Sequence, residues 1–287
     1  MSIPAPVTVV VVHRNRPGAV GATLDAFRNQ SIPTRLVVVD NGTESDDLDE
    51  LRTLVGRDTL IVTGRNLGFG PGANVGLRRW LRESTGEWCA IAPHDALPEP
   101  DTLAKILDGV RERPFVGLVS ADVGDPGRPV IEPFLGPIDA PAGGSEGFEL
   151  TDYPHGTLML ARRQCIEEVG LFDERYFAYC EEAELALRAS ARGWQSGMVR
   201  GAMVHNPGMS TGVQRVAYLQ HRNTLLMQRE HFGRWNAWFR IGMALIQLPL
   251  GAMYPAARGL HWSPAGRLKG IRDHLLGRYG PPPPDIS

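Results

Sequence analysis

Three carboxylates within four residues, Glu181, Glu182 and Glu184, open a run whose apolar residues recur at helical spacing. On a helix, positions 181, 184 and 188 share one face. Glu181 or Glu184 can therefore pair with Arg188, whereas Glu182 points elsewhere and keeps the freedom that a general base needs. The plainer explanation is that acidic side chains at a helix N-terminus are favoured by the macrodipole whatever their chemistry. His94 and Asp95 follow the apolar run Glu87–Ala92 and precede a loop. A carboxylate and an imidazole at a strand end suit Mg²⁺ or Mn²⁺ bound to a diphosphate, since both ions accept O and N ligands; a solvated turn is the alternative. His205 lies just after another apolar run, in MVHNPGMSTG, and a lone histidine is more often not a ligand.

Two further segments have the composition of a ligand edge. The run LVVVD ends in Asp40-Asn41-Gly42. A carboxylate at the carboxyl end of a buried parallel strand can accept hydrogen bonds from a base or ribose, although Asp, Asn and Gly also dominate ordinary turns. From Asn66 to Asn74 the chain reads NLGFGPGAN, a glycine-rich entry to a helix where a phosphate or base could approach closely. It is neither a Walker motif nor GxGxxG, so by itself it is also a helix-entry loop.

Short apolar runs alternate with helical stretches to position these residues. Val7–Val12, Leu36–Asp40, Leu60–Thr63, Glu87–Ala92 and Phe115–Ser120 read as buried strands. Between them, Ala19–Asn29, Asp46–Leu54, Asn74–Arg82 and Asp101–Arg113 read as helices. This alternation predicts an α/β fold, a mostly parallel sheet with helices on both faces and its ligand crevice beyond the strands' carboxyl ends. Residues 121–153, rich in Gly and Pro, predict an irregular excursion or short hairpin. A strand at 157–161, helices at 163–169 and 181–192, and a strand at 196–204 follow, with Gly193 stopping the second helix. Beyond Val213 the pattern is helical to Leu276, with breaks expected at Gly233, Pro249 and Ser263-Pro264; the tail PPPPDIS reads as extended or disordered.

Composition narrows the function classes. Thirty Lys and Arg against 32 Asp and Glu leave a net charge of −2, which argues against a nucleic-acid-wrapping protein. The 43% hydrophobic content supports a full core. Cys89, Cys165 and Cys180 are odd in number and scattered, as expected of buried or free thiols in a reducing compartment. The N-terminus lacks the features of a signal peptide. Residues 235–256 are apolar enough to touch lipid, but Arg240, Gln247 and two prolines interrupt a full span. A cytoplasmic protein, soluble or peripheral at the inner face of a membrane, is the expectation.

Taken together and in order, these fragments resemble the family-2 inverting glycosyltransferases of the GT-A fold, especially the bacterial rhamnosyl- and galactofuranosyl-transferase-like branch. The opening VVVVHRNRP keeps the family's Asn15 and Arg16, with His13 and Arg14 in place of Thr and Tyr. VVVDNGT is similar to the family's nucleotide-contacting VDNGS and carries a base-binding role to Asp40, with Asn41 beside it. NLGFGPGANVG places Asn66, Gly68 and Asn74 beside the nucleotide. PHDALPEPDTL retains the metal-segment Asp95 but has Ala96 at a second acid position. GLFDERYFAYCEEAELALRASARGW puts Glu181 and Glu182 on the family's Glu-Asp pair, with Glu182 at the proposed general base, and has Glu184 for a further Asp. The family's VxHxxxxS motif assigns His205 to the metal.

The resemblance covers residues 7–232. It implies a Rossmann-like catalytic domain over 1–212, a helical extension over 213–278 and a Pro-rich tail over 279–287. It further implies single displacement from a UDP- or dTDP-sugar to an acceptor hydroxyl, a Mn²⁺ or Mg²⁺ ion on Asp95 and His205, and a glycan, lipid-linked or protein acceptor. The helical extension is open to several readings: acceptor platform, homodimer contact, membrane-facing surface or ordinary core. The rival function is a non-catalytic relative that binds a nucleotide-sugar or glycan. A dehydrogenase or sugar nucleotidyltransferase is disfavoured, because the first strand is followed by neither GxGxxG nor a lysine-bearing glycine loop.

Overall fold

In the computed structural model of the protein, which describes residues 5–206, 212–258 and 261–286, the valine run forms β1 (Val7–His13), all seven residues buried. The chain continues through α1 (Pro17–Arg28), β2 (Thr34–Asp40), α2 (Ser45–Val55), β3 (Thr59–Val62), α3 (Phe69–Glu83), β4 (Trp88–Pro93), β5 (Leu97–Pro98), α4 (Thr102–Val110) and β6 (Val116–Asp122). The Gly/Pro-rich segment holds β7 (Gly127–Glu132), β8 (Gly136–Pro141) and β9 (Gly147–Thr151). Then come β10 (Met159–Arg162), α5 (Arg163–Val169), α6 (Glu181–Ser190), β11 (Gln195–His205), α7 (Val213–His231), α8 (Arg234–Met253) and α9 (Pro264–Leu275).

The main sheet runs β3-β2-β1-β4-β10-β6-β11-β5, with β9 also on β11. Pairs β3–β2, β2–β1, β1–β4 and β6–β11 are parallel, while β10, β5 and β9 run against their neighbours. The pleat sorts β1 between two cores: Val9 and Val11 pack with α1, α2 and α4, and Val10 and Val12 with α3, α5 and α6. Close packing of α3 needs Gly76, where a Cβ would lie 2.4 Å from Val10 Cγ1. These observations bear out a mostly parallel α/β sheet covered on both faces.

Of the alternatives left open for 121–153 the hairpin is the one observed: β7 and β8 form it, and a strand that joins the main sheet follows, where Arg200 of β11 ties Glu149 (2.8 Å) and Asp122 (3.3 Å) together. Helix α8 runs through Pro249 instead of breaking there. The proline is exposed and the Leu245 side chain is 50% exposed, so water can reach the carbonyl that loses its amide partner. The tail is not free either. Ile286 is fully buried against Phe177, Tyr218 and Leu219, and its carbonyl accepts bonds from Arg215 Nε and Nη2 at 3.0 and 2.8 Å. A single apolar side chain finding a slot is enough to order a proline run that has little entropy to lose.

Candidate active site

Strand register builds the first wall. Parallel pairing sets His13 beside Asp40 and Val12 beside Pro93, so the carboxyl ends of β1, β2 and β4 form one edge. Asp40 and His13 are both fully buried, with His13 Nδ1 3.9 Å from Asp40 Oδ1. The Thr43 amide donates to the same oxygen at 3.1 Å. Burial pushes the Asp40 carboxyl up, but the nearby His13 imidazole and the bond from Thr43 prevail and hold it below the usual range. Its other oxygen, Oδ2, is buried with no partner among the described residues. An orphaned acceptor at a strand end is a place for an N–H donor. His94 stacks edge-on to His13 at 5.4 Å, and burial, helped by the His13 and Arg16 charges and opposed by that of Asp95, takes its pKa down to about 4.

The glycine loop is held from beneath. Asn41 Oδ1 accepts from the Leu67 amide (2.8 Å), while its Nδ2 donates to the Gly68 carbonyl (2.8 Å) and to Asn66 Oδ1 (3.3 Å). Asn66 Oδ1 also accepts from the Gly68 amide at 3.0 Å. Asn74 is fully buried, and its carboxamide brackets Phe172, accepting from its amide at 3.0 Å and donating to its carbonyl at 2.9 Å. Asn41, Asn66 and Asn74 thus lock the loop and the 172 segment into place with their side chains.

Helix α6 supplies the second wall. Glu184 accepts from Arg188 Nε and Nη2 at 2.8 Å each and approaches His231 at 3.4 Å, so its charge is matched; burial raises its pKa, but those partners bring it below the usual range. Glu182 has no ion pair among the described residues. Burial raises its pKa to about 6. Glu181 is 4% exposed, its Oε2 has no partner, and burial, then the Glu182 charge, push it well above the ordinary value. The division expected from helix geometry, with one glutamate on Arg188 and Glu182 free of it, is the one observed.

Sequence reasoning missed what holds this helix start. Phe177, Tyr179 and Cys180 all have positive φ (65°, 69° and 69°), which is strained for side chains larger than glycine. Asn223 of α7 donates its amide to the carbonyls of Tyr176, Ala178 and Tyr179, each at 2.8 Å. Behind it, Arg222 donates to Asn223 Oδ1 at 3.1 Å and to the Tyr218 hydroxyl at 3.2 Å, and Tyr218 donates to Asp273 at 2.8 Å. No local signal marks it, because polar residues recur along the whole of VQRVAYLQHRNTLLMQREH.

For a metal, β11 pairs with β5 so that His205 faces Leu97, two residues beyond Asp95. Asp95 is half-buried; the His205 side chain is 61% exposed and lies 3.5 Å from Glu99 Oε1. Ala96 is fully buried in the apolar core, so position 96 faces away from the crevice and an acid there would be a buried charge. Ser210, the end of the family's histidine motif, lies outside the described residues. Among the described residues no three His, Cys, Asp or Glu side chains converge. One carboxylate and one imidazole fit a Mg²⁺ or Mn²⁺ ion that takes its remaining ligands from a diphosphate and water.

The mostly parallel sheet, with its carboxylate-tipped edge and locked glycine loop, has the GT-A fold of the solved structures it resembles. The profile described as glycosyl transferase family 2 matches residues 8–170, and the chain belongs to that family. It is 28% identical over 243 residues to an N-acetylglucosaminyl-diphospho-decaprenol L-rhamnosyltransferase of Mycobacterium tuberculosis, covering 72% of this chain and 79% of the relative. It is 26% identical over 214 residues to the low-salt glycan biosynthesis hexosyltransferase Agl10 of Haloferax volcanii, covering 69% and 68%. Among solved structures, the mannosyltransferase PcManGT of Pyrobaculum calidifontis, in complex with GDP-Man and Mn²⁺, matches with a TM-score of 0.59 at 18% identity, over 95% of this chain and 85% of that one. GalNAc-T7 with UDP, GalNAc and Mn²⁺ gives 0.65 at 14% identity, over 95% and 55%. These two likenesses bear on the fold.

Proposed function

We propose that the protein transfers a hexosyl or deoxyhexosyl group from a UDP- or dTDP-sugar to an acceptor hydroxyl in one inverting displacement. The observation that carries this reading is Glu182: a carboxylate without an ion pair, on a helix whose next acid, Glu184, is matched by Arg188. Glu182 accepts the acceptor's hydroxyl proton as that oxygen attacks the anomeric carbon and the nucleoside diphosphate departs from the opposite face. A pKa near 6 suits that task, because the group is ionised at neutral pH yet basic enough to take a proton. Asp40 Oδ2 accepts from the base, and Asn41 and Asn66 keep the glycine loop against the nucleotide. Asp95 and His205 are the residues that would hold a divalent ion, which when bound offsets charge on the diphosphate.

The mycobacterial relative is named for an N-acetylglucosaminyl-diphospho-decaprenol acceptor, and a lipid-linked acceptor is the reading adopted for this chain. Helix α8 supports it: Trp235, Trp238, Ile246 and Met253 are 84, 52, 63 and 63% exposed, a composition suited to lying at a membrane surface. Among the described residues no helix is long and apolar enough to cross a membrane.

The test is a thermal-shift panel of UDP, dTDP, GDP and their sugars, each with Mn²⁺, Mg²⁺ or EDTA, followed by a transfer assay with the stabilising donor. A metal-dependent shift with one nucleotide and turnover of its sugar is expected. No shift with any nucleotide would favour the non-catalytic reading.

A further inference from the structure

A separate pocket of about 240 Å³ opens between the β7–β8 hairpin and the C-terminal helices, bounded by Leu135 and Pro137, by Cys180 and by the side chains of His221, Arg240 and Arg267. No carboxylate lines it among the described residues. His221 is 8% exposed, and among the described residues its Nε2 has no hydrogen-bond partner, nor do the buried Nε atoms of Arg240 and Arg267. Arg267 has a long bond to Gln247 (3.4 Å) and stacks over Trp262 at 4.8 Å, neither of which offsets its charge. Burial, then the Arg267 charge, hold Arg240 below its ordinary value, and burial, then both arginines, take His221 down to about 3. Two half-buried guanidiniums whose Nε atoms are buried, beside a buried imidazole and with no acid among the described residues, favour the entry of an anion. Planar guanidiniums match phosphate oxygens better than any other side chain.

The pocket adjoins the catalytic helix. Cys180, which lines it, directly precedes Glu181, and its Sγ touches the adjacent lining residue Thr224 at Oγ1, 3.6 Å away. Arg240 sits on the same helix that exposes Trp238, Phe239 and Ile246. We propose that this pocket binds the diphosphate of a lipid-linked acceptor, gripped by Arg240, Arg267 and His221, with its sugar directed towards Glu182 and its lipid along α8. The assignment rests on the glycosyl-transfer reading above.

Calorimetry in EDTA tests it, with inorganic pyrophosphate, farnesyl diphosphate and farnesol titrated into the full chain and into Arg240→Gln/Arg267→Gln. UDP with Mn²⁺ is titrated into both as a control on the donor side. The expected result is farnesyl diphosphate binding that weakens about tenfold or more in the variant, no binding of farnesol, and equal UDP affinity in both proteins. Equal farnesyl diphosphate affinity in the two proteins would overturn the pocket. Pyrophosphate binding as tightly as farnesyl diphosphate would overturn the lipid-linked assignment and leave a free diphosphate as the ligand. If the variant also loses UDP, the single Arg240→Lys variant replaces it, and full farnesyl diphosphate affinity there together with full affinity in Arg267→Lys would count against the grip. Failure of UDP and of dTDP, each titrated with Mn²⁺, to bind the unaltered protein would sink the glycosyl-transfer reading, a result separate from any of these.

Discussion

Gly68 lies so close to Phe177 that a Cβ at position 68 would come within 2.2 Å of the Phe177 carbonyl oxygen. The glycine loop on the nucleotide side and the strained turn before Glu181 are therefore in backbone contact, and neither can move without the other. Gly68 also has φ +98°, where a side chain is disfavoured even in open space. Gly68→Ala is expected to lose roughly 2–4 kcal/mol of stability, read from urea unfolding. An unchanged midpoint would mean the two segments are not seated together.

Asn223 acts on the other side of that turn, holding three carbonyls whose residues precede the acidic helix start. It is a positioning residue for Glu182. Asn223→Ala is expected to lower kcat roughly 10- to 100-fold, the effect of misplacing a catalytic group by about an ångström, while the donor KM stays within about twofold of the original. A variant that only loosened the fold would show lowered stability with an unaltered pH–rate profile; here the acid limb of the profile should move as well.

Glu182→Gln should reduce transfer by roughly 10²–10⁴-fold, the range for loss of a general base, with nucleotide affinity nearly unchanged. The pH dependence follows from its raised pKa. Among the described residues the titratable groups facing Glu182 are Glu181 and the Cys180 thiol beside it in the chain and the Tyr153 hydroxyl, and none is cationic. Below about pH 6 the base is protonated, so kcat/KM should rise with pH and level off above that value. A flat profile between pH 5 and 7 would remove Glu182 from the proton transfer.

Glu181 makes a prediction about stability. Its folded pKa lies above the unfolded value, so the native state holds its proton more tightly. That contribution is fully present below the unfolded carboxyl value and fades as pH rises through the folded one. Glu181→Gln cannot ionise, so its melting temperature should exceed that of the original protein at pH 8 by more than at pH 4. Equal differences at both pH values would place the Glu181 charge in contact with solvent.

Much of this was legible in the chain. Runs such as VVVV and LVVVD can be buried only between two layers, and GFGPG entering a helix can be read as a close approach without knowing what is approached. Helix periodicity alone separated Glu184 from Glu182. What the chain could not show is where carboxamides point: Asn41, Asn66 and Asn74 look like ligand contacts, yet their amides are engaged by backbone from segments up to 98 residues away. β5 is two residues long and exists only because β11 runs alongside it. Arg222 and Asn223 sit in an ordinary helix period, and their partners are about 45 residues distant. Long-range polar satisfaction leaves no local pattern.

The buried methyl of Ala96 changes what is expected of the metal site. If position 96 faced the crevice, its lack of a carboxylate would remove a ligand. Since it faces the core, the ligand pair proposed above, Asp95 and His205, would be completed by the donor's own diphosphate. Metal and nucleotide should then bind together, each weakly alone. Titrating UDP or dTDP with and without Mn²⁺ should show this as a metal-dependent gain in affinity. His205→Ala should remove most of that gain, on the scale of about 10-fold, and leave metal-free binding unaltered. Ala96→Asp should not increase the gain; it should lower stability by burying a charge. A variant in which Ala96→Asp tightened metal-dependent binding would show that the 95–96 turn presents both side chains to the donor.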